Sequence, residues 1–428
     1  LTDQRSKKSL IVVLVALAAV VLAATQLFKP STETAVSATL LSATLPGDVA
    51  TGADAAAIDQ FSWASFVAVN WPANGGVIGQ GGDGVAVWQS WKSDTDVLVP
   101  LGQVPIPFKQ PSPIPAACTQ LGPPGTRILT HDTKMGQLGN FNTPGNGPLI
   151  DQNGEYVRFE ILVNEPMYDF IVSNMLYSKA GQAAYNPGGA VAFPAGVVNG
   201  APGAVMLKVA WKIMGPGDNP KRFHTAMAYL YNPAQSPACQ LKQVGMVGMH
   251  ISHKTANAPQ WVWSTFEHAD NVPLVGSTGG GPFSFSDGTS IHRSVGCDGA
   301  GCNVVPIGKW DPNSGVKTPV QVARLVDFTS TAISQNAVFA AALLAVDPAS
   351  VFANYRLVGT QFPSDVTNQN NPAGVPLPPF LSNTTMETFL QGETPNVSSS
   401  CANCHYQATM SDGRLSDFSF ILARVAMQ

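Results

Sequence analysis

Residues 401 to 405 read Cys-Ala-Asn-Cys-His, and this C-x-x-C-H constrains what the 428-residue chain can fold around more than any other segment. Two thiols at that spacing can add across the two vinyl groups of one porphyrin, and the adjacent imidazole is then held under the iron. The motif implies one covalent c-type haem on Cys401 and Cys404, with His405 as the proximal iron ligand. Only 23 residues follow His405 in the sequence. A cytochrome c domain needs several helices after its motif, so the upstream chain is expected to wrap the haem and to supply any protein-derived second axial ligand. Met410 lies too close to His405 to reach the opposite haem face and reads as packing.

Two other chemistries use the same spacing. C-x-x-C is half of a structural zinc site, and Cys297 with Cys302 would supply the other half. A thioredoxin-like redox pair follows a buried strand in a βαβ unit, whereas Ser398-Ser399-Ser400 is polar and loop-like. Haem is the reading the motif carries best.

The N-terminus constrains the compartment. Leu10 to Ala24 is an unbroken apolar run, extended by Thr25, Gln26, Leu27 and Phe28 and preceded by Arg5, Lys7 and Lys8. Counted to Phe28 the run has 19 residues, about 28 Å as a helix, just enough to cross a bilayer. Cations that stay cytoplasmic put the chain beyond Phe28 on the outer side, in a periplasm-like compartment, membrane-anchored or secreted. Val21-Leu22-Ala23 is acceptable to a signal peptidase, so residues 1–28 read as either a signal or an anchor in the inner membrane. Residues 29–57, rich in Ala, Thr and Ser, read as a flexible tether. A β-rich globular domain is expected over 58–380 and a haem-attachment segment packed on it over 381–428.

Formal net charge is -4, which gives no sign of a nucleic-acid partner. Only 12% of residues are charged while Gly and Pro number 40 and 34, a balance that favours short strands and long ordered loops over helical bundles. Strand-like alternation occurs at Gly84 to Trp91, Tyr156 to Val163, Ala204 to Ile213, Thr225 to Tyr231, Val244 to His253 and Gln260 to His268. Helical spacing occurs at Pro166 to Ser178, Pro319 to Asp327, Thr331 to Val346 and around Thr384 to Gln391. The fold class expected is mainly β with packed short helices (α+β), a sandwich or irregular barrel. Outside the haem motif are Cys118, Cys239, Cys297 and Cys302, an even set that suggests two disulfides in an oxidising compartment. Cys297 with Cys302 would close a small Gly-rich loop, leaving Cys118 with Cys239 as one of three pairings.

Upstream histidines are few, and three of them cluster. In the stretch ending Met249-His250-Ile251-Ser252-His253 the period of two puts Met246 and His250 on one face, with Met249 and His253 on the other. In Trp261 to His268, both tryptophans and Glu267 oppose Val262, Phe266 and His268. A hairpin through Lys254 to Pro259 would let the imidazoles converge. His268, His250 and His253 are thus candidates, one at most, for the distal iron ligand, with Met246 and Met249 as thioether alternatives. The same three histidines suit copper or zinc as a second metal, although strand parity turns two of them apart. No G-x-S-x-G or H-E-x-x-H is present, and Asp151-Gln152-Asn153-Gly154-Glu155 reads as a hairpin turn before a calcium loop.

Phe61 to Pro72, Pro259 to His268, Tyr355 to Gln361 and Ser400 to His405 together resemble the large bacterial single-haem proteins grouped as "cytochrome c family protein", over roughly residues 58–428. The resemblance implies an exported haem protein and no particular substrate. An electron-transfer cytochrome with an unidentified redox partner is the leading expectation. A haem peroxidase or oxidase with an open distal site is the alternative, since a bare carrier needs about a quarter of this length. A structural subunit of a membrane-tethered redox complex is the third.

Overall fold

The computed structural model describes residues 40–79, 84–123, 125–131, 148–186, 189–274, 281, 283–288, 303, 318–363, 376–391 and 400–427. The apolar run of Leu10 to Phe28 and the Cys297 and Cys302 pair lie outside these residues. Among the described residues nine strands form one sheet, predominantly antiparallel and not closed into a barrel, with short helices on its faces. They are β1 (Lys92–Ser93), β2 (Arg127–Leu129), β3 (Arg158–Val163), β4 (Val205–Ile213), β5 (Thr225–Tyr231), β6 (Cys239–His253), β7 (Val262–His268), β8 (Tyr355–Pro363) and β9 (Pro376–Leu377). The order is β1-β3-β4-β6-β7-β8-β9, and β5 pairs with the first half of β6. Among the described residues the helices are α1 (Ala55–Val69), α2 (Asp94–Val97), α3 (Glu165–Ser173), α4 (Lys179–Ala184), α5 (Ser330–Val346) and α6 (Cys401–His405).

The β-rich α+β expectation holds, and five of the six strand segments appear close to their expected bounds. Gly84 to Trp91 does not form a strand. Its centre is a 3-10 turn, Val87–Ser90, that seats Trp88 in the core, where its indole nitrogen donates to Asn70 Oδ1 at 3.0 Å. Pro319 to Asp327 is extended, and Val320 and Val322 donate their backbone N–H to Ile150 and Phe285. Thr384 to Gln391 is a run of turns fastened to β7 by side-chain hydrogen bonds.

The two sheet faces bury different layers. One presents Val205, Leu207, Val209, Met249, Ile251 and Phe266 to α1 and α5, where Trp63 stacks on Phe339 at 5.1 Å and Phe66 on Phe266 at 4.3 Å. Truncating such a ring costs about 3–5 kcal/mol. α1 starts where Asp54 accepts from Ala57 N at 2.9 Å. Its buried residues run almost without interruption from Phe61 to Val69, so it has no polar stripe to reveal a helical period. The opposite face carries Met206, Trp263 and Thr265, and α3 and the C-terminal segment cover Met206 and Trp263 there.

The tether expected over 29–57 does not extend through its described part. From Leu41 the chain packs on the body, with Val49 buried against Ile58, Phe61 and Val262, and Asp48 accepting from Asn257 N at 3.0 Å. Three apolar residues at wide spacing, Leu41, Leu45 and Val49, suffice to dock it. The expected disulfide is present: Cys118 bonds Cys239 and ties the 3-10 turn Ala116–Cys118 to the start of β6. Asp151 forms the expected hairpin turn, its Oδ1 accepting from Asn153 N and Glu155 N.

Burial holds three imidazoles neutral. His224, His253 and His268 are fully buried, and desolvation lowers each to about 4. The unfolded chain protonates these rings near 6.5, so between about 6.5 and 4 it binds protons the fold does not. Stability is therefore full above this window and falls as pH drops through it, by on the order of 2 kcal/mol for each ring between pH 7 and 5. His224 has no hydrogen-bond partner at either ring nitrogen and stacks on Phe352 at 5.3 Å. Urea unfolding at pH 7 and pH 5 is expected to show the loss, and His224→Phe to reduce the difference by about a third. An undiminished difference in the variant would show that His224 is not one of the groups responsible.

Candidate haem-attachment site

Gln361 near the end of β8 and Trp263 on β7 are directly paired across the strands, so both project from the same sheet face. Together they seat α6. The Gln361 carbonyl oxygen accepts from Ala402 N at 2.9 Å and from Ser400 Oγ at 3.2 Å, while its amide donates to Pro378 O at 2.7 Å. Ser400 in turn caps the helix, accepting from Asn403 N. Trp263 lies under the His405 ring with centroids 4.5 Å apart, and Phe420 meets that ring edge-on at 5.2 Å.

After His405 the chain returns on itself. Ala408 O accepts from Ser416 N, Thr409 pairs with Leu415, and Gly413 takes a left-handed turn at φ 87°. The return brings the Phe418 carbonyl to His405, whose Nδ1 lies 2.8 Å from that oxygen. A carbonyl can only accept, so Nδ1 carries the proton and the ring's lone pair is on Nε2. That is the tautomer and second contact of a histidine that ligates a metal through Nε2. Cys401 is partly exposed and Cys404 exposed, three residues apart on a single helical turn.

The segment is fastened to the upstream domain over its whole length. Arg414 pairs with Asp412 and donates to the carbonyls of Gln182, Tyr185, Asn186 and Gly189 around the end of α4. Gln182, fully buried, accepts from Ser411 N at 2.8 Å and donates to Leu422 O at 3.0 Å. Residues well upstream thus pack along the chain that follows the motif. Met410 is buried beside Ala402 and Phe418, in keeping with packing.

The histidine cluster does not form. The β6–β7 hairpin exists, but His253 pairs with Val262 at one end of β7, and His268 lies at the other end opposite Tyr355. Six residues of strand separate those ends, about 20 Å. Both project from the α1 face, where His253 packs on Phe61 and donates to Pro202 O at 2.6 Å. His268 stacks on Phe223, donates to Arg222 O at 2.9 Å and accepts from Asp270 N at 3.1 Å. The sheet therefore stands between these two rings and His405. His250, paired with Thr265, shares the Trp263 face and lies 3.4 Å from Glu387. Met246 departs from its expected face. An irregularity in the β4–β6 register leaves Val247 without a partner on β4, and Met246 and Met249 both enter the α1 core. Among the described residues no three His, Cys, Asp or Glu side chains group closely enough to hold a metal ion, so the copper or zinc site at these histidines is not formed.

Gln361 and Phe418 are the site residues that sequence reading misses. Gln361 falls in a stretch noted only for its resemblance, and a backbone acceptor leaves no trace in side-chain identity. Comparison with protein-family models, curated proteins and solved structures finds no match.

Gln361→Ala is expected to release the start of α6 at a cost of roughly 1–3 kcal/mol, from the acceptor lost to two buried donors. Amide hydrogen exchange checks this: exchange at 400–406 should rise while β4 and β6 stay protected. Unchanged protection at Ala402 would show that the seat lies elsewhere.

Proposed function

We propose that this chain is an exported c-type cytochrome that carries one covalent haem on Cys401 and Cys404, with His405 as proximal ligand, and transfers electrons on the periplasmic side. The observation that carries the reading is the 2.8 Å contact from His405 Nδ1 to the Phe418 carbonyl, which fixes the tautomer an iron ligand needs, beside one exposed and one partly exposed thiol on the same turn. The donor set suits this group: thiols for thioether links and a neutral imidazole for iron. When bound, haem supplies one-electron exchange at its iron.

The chain's own residues hold and shield that ligand. Phe418 keeps the proton on Nδ1, and Trp263 and Phe420 cover two sides of the imidazole against water. Gln361 sets where the turn bearing the thiols starts. The Cys118–Cys239 bond fits an oxidising compartment, in keeping with export. Among the described residues no helix is long and apolar enough to cross a membrane. A low charge content disfavours electrostatic steering toward a small soluble redox partner.

Expression alongside a c-type maturation system tests the reading. The purified chain should give a thioether-linked haemochrome spectrum in alkaline pyridine, keep its colour through acid-acetone extraction, and gain the mass of one haem. The Cys401→Ala, Cys404→Ala double variant should lose all three. If a protein side chain closes the sixth position, the reduced protein should refuse carbon monoxide. Rapid uptake would instead favour the peroxidase or oxidase class, and a colourless wild-type chain of apoprotein mass would defeat the haem reading.

A further inference from the structure

The carbonyl that receives the His405 proton sits on unusual backbone. Asp417 and Phe418 both lie in the left-handed region, at φ 51° and 64°, where a residue other than glycine costs of order 1–3 kcal/mol. Two such residues in succession persist only if their surroundings hold them. The Asp417 side chain is fully buried and has three donors from two segments of the upstream domain, the chain at Phe193 and the two ends of the β6–β7 connection. Its Oδ2 accepts from Phe193 N at 2.7 Å; its Oδ1 accepts from Lys254 Nζ at 2.7 Å and from Trp261 Nε1 at 3.3 Å. Lys254, directly after β6, is itself buried and donates also to Pro259 O at 2.6 Å. Trp261, directly before β7, is a third left-handed residue at φ 70° and packs against Trp263, the ring beneath His405. One carboxylate thus joins the hairpin bearing Trp263 to the turn bearing the Phe418 carbonyl.

We infer that Asp417 is a positioning residue for the proximal histidine: with Lys254 and Trp261 it locks the left-handed turn that aims the Phe418 carbonyl at His405 Nδ1, and so sets the donor strength of that imidazole. The inference rests on the proposal that His405 ligates a haem iron. Only geometry around Asp417 carries it, and burial acts in the same sense. Desolvation raises the Asp417 carboxyl and lowers the Lys254 ammonium, and each is offset chiefly by the other, so the charges stand as a pair and neither is stable alone. Removing either partner takes away the counter-charge that holds the other, so either removal loosens the turn.

Redox titration of the haem-loaded protein tests this. Asp417→Asn weakens the hold on the Phe418 carbonyl and removes the negative charge, so the midpoint potential should rise and the optical signature of the proximal ligand should change. Lys254→Met takes from the lock its counter-charge and one of its three donors, so the contact should loosen in the same direction and the midpoint should rise by less than in Asp417→Asn. Asp151→Asn is the control. Asp151 is an equally buried acid, paired with Lys212 on another part of the sheet, and its loss should lower the unfolding midpoint without moving the potential. Wild-type potential and spectrum in haem-loaded Asp417→Asn would overturn the inference, as would an equal shift in the Asp151 control. If the Asn variant does not accumulate, Lys254→Met decides: a higher midpoint supports the lock, and an unchanged or lower one overturns it. A wild-type chain that takes up no covalent haem would defeat the functional reading before any variant is compared.

Discussion

Every residue of β7 from Val262 to His268 is buried, so this central strand has no face left for water and each polar group on it must be answered from within the protein. The answers organise the molecule. Ser264 donates to Ser62 of α1, Thr265 accepts from Asn383, and Glu267 takes the Thr384 hydroxyl and pairs with Arg324. His268 is satisfied by Arg222 and Asp270. The helical layer, the turns after Leu381 and the loop before β5 are all bound to this one strand. Trp263 is its contribution to the site.

Much of the sheet is legible in the sequence because period-two alternation survives where one face meets a helix layer and the other meets something different. The hairpin through Lys254 to Pro259 and the opposition of Trp263 to Val262 and Phe266 follow from that alternation alone. α1 is not legible, since a helix buried nearly all round shows no stripe. Nor is the extended path of Val320 to Val326, whose apolar residues fit a helical template as well as a strand-like one. Met246 departs from its parity through the register irregularity at Val247, which no local signal in the sequence marks.

At the site, the positions proposed for covalent attachment and ligation are the readable part, because thiol and imidazole chemistry demands particular side chains at particular spacing. What orients them is not readable. The acceptor for His405 is a main-chain carbonyl, and the amide that seats α6 comes from a residue 41 positions upstream of Ala402. The three-histidine cluster failed for the converse reason. Alternation tells which face a side chain takes, whereas convergence also depends on how far apart the positions lie along the strand.

The seat of α6 has a consequence for assembly. Trp263 and Gln361 become neighbours only when β8 docks along β7, and nearly a hundred residues of chain lie between them. Ring closure over that distance is slow compared with forming a single turn of helix. The Cys-Ala-Asn-Cys-His turn consequently finds its lasting place late, after the central ladder has zipped, and until then its two sulfur atoms remain within reach of whatever machinery handles the nascent polypeptide.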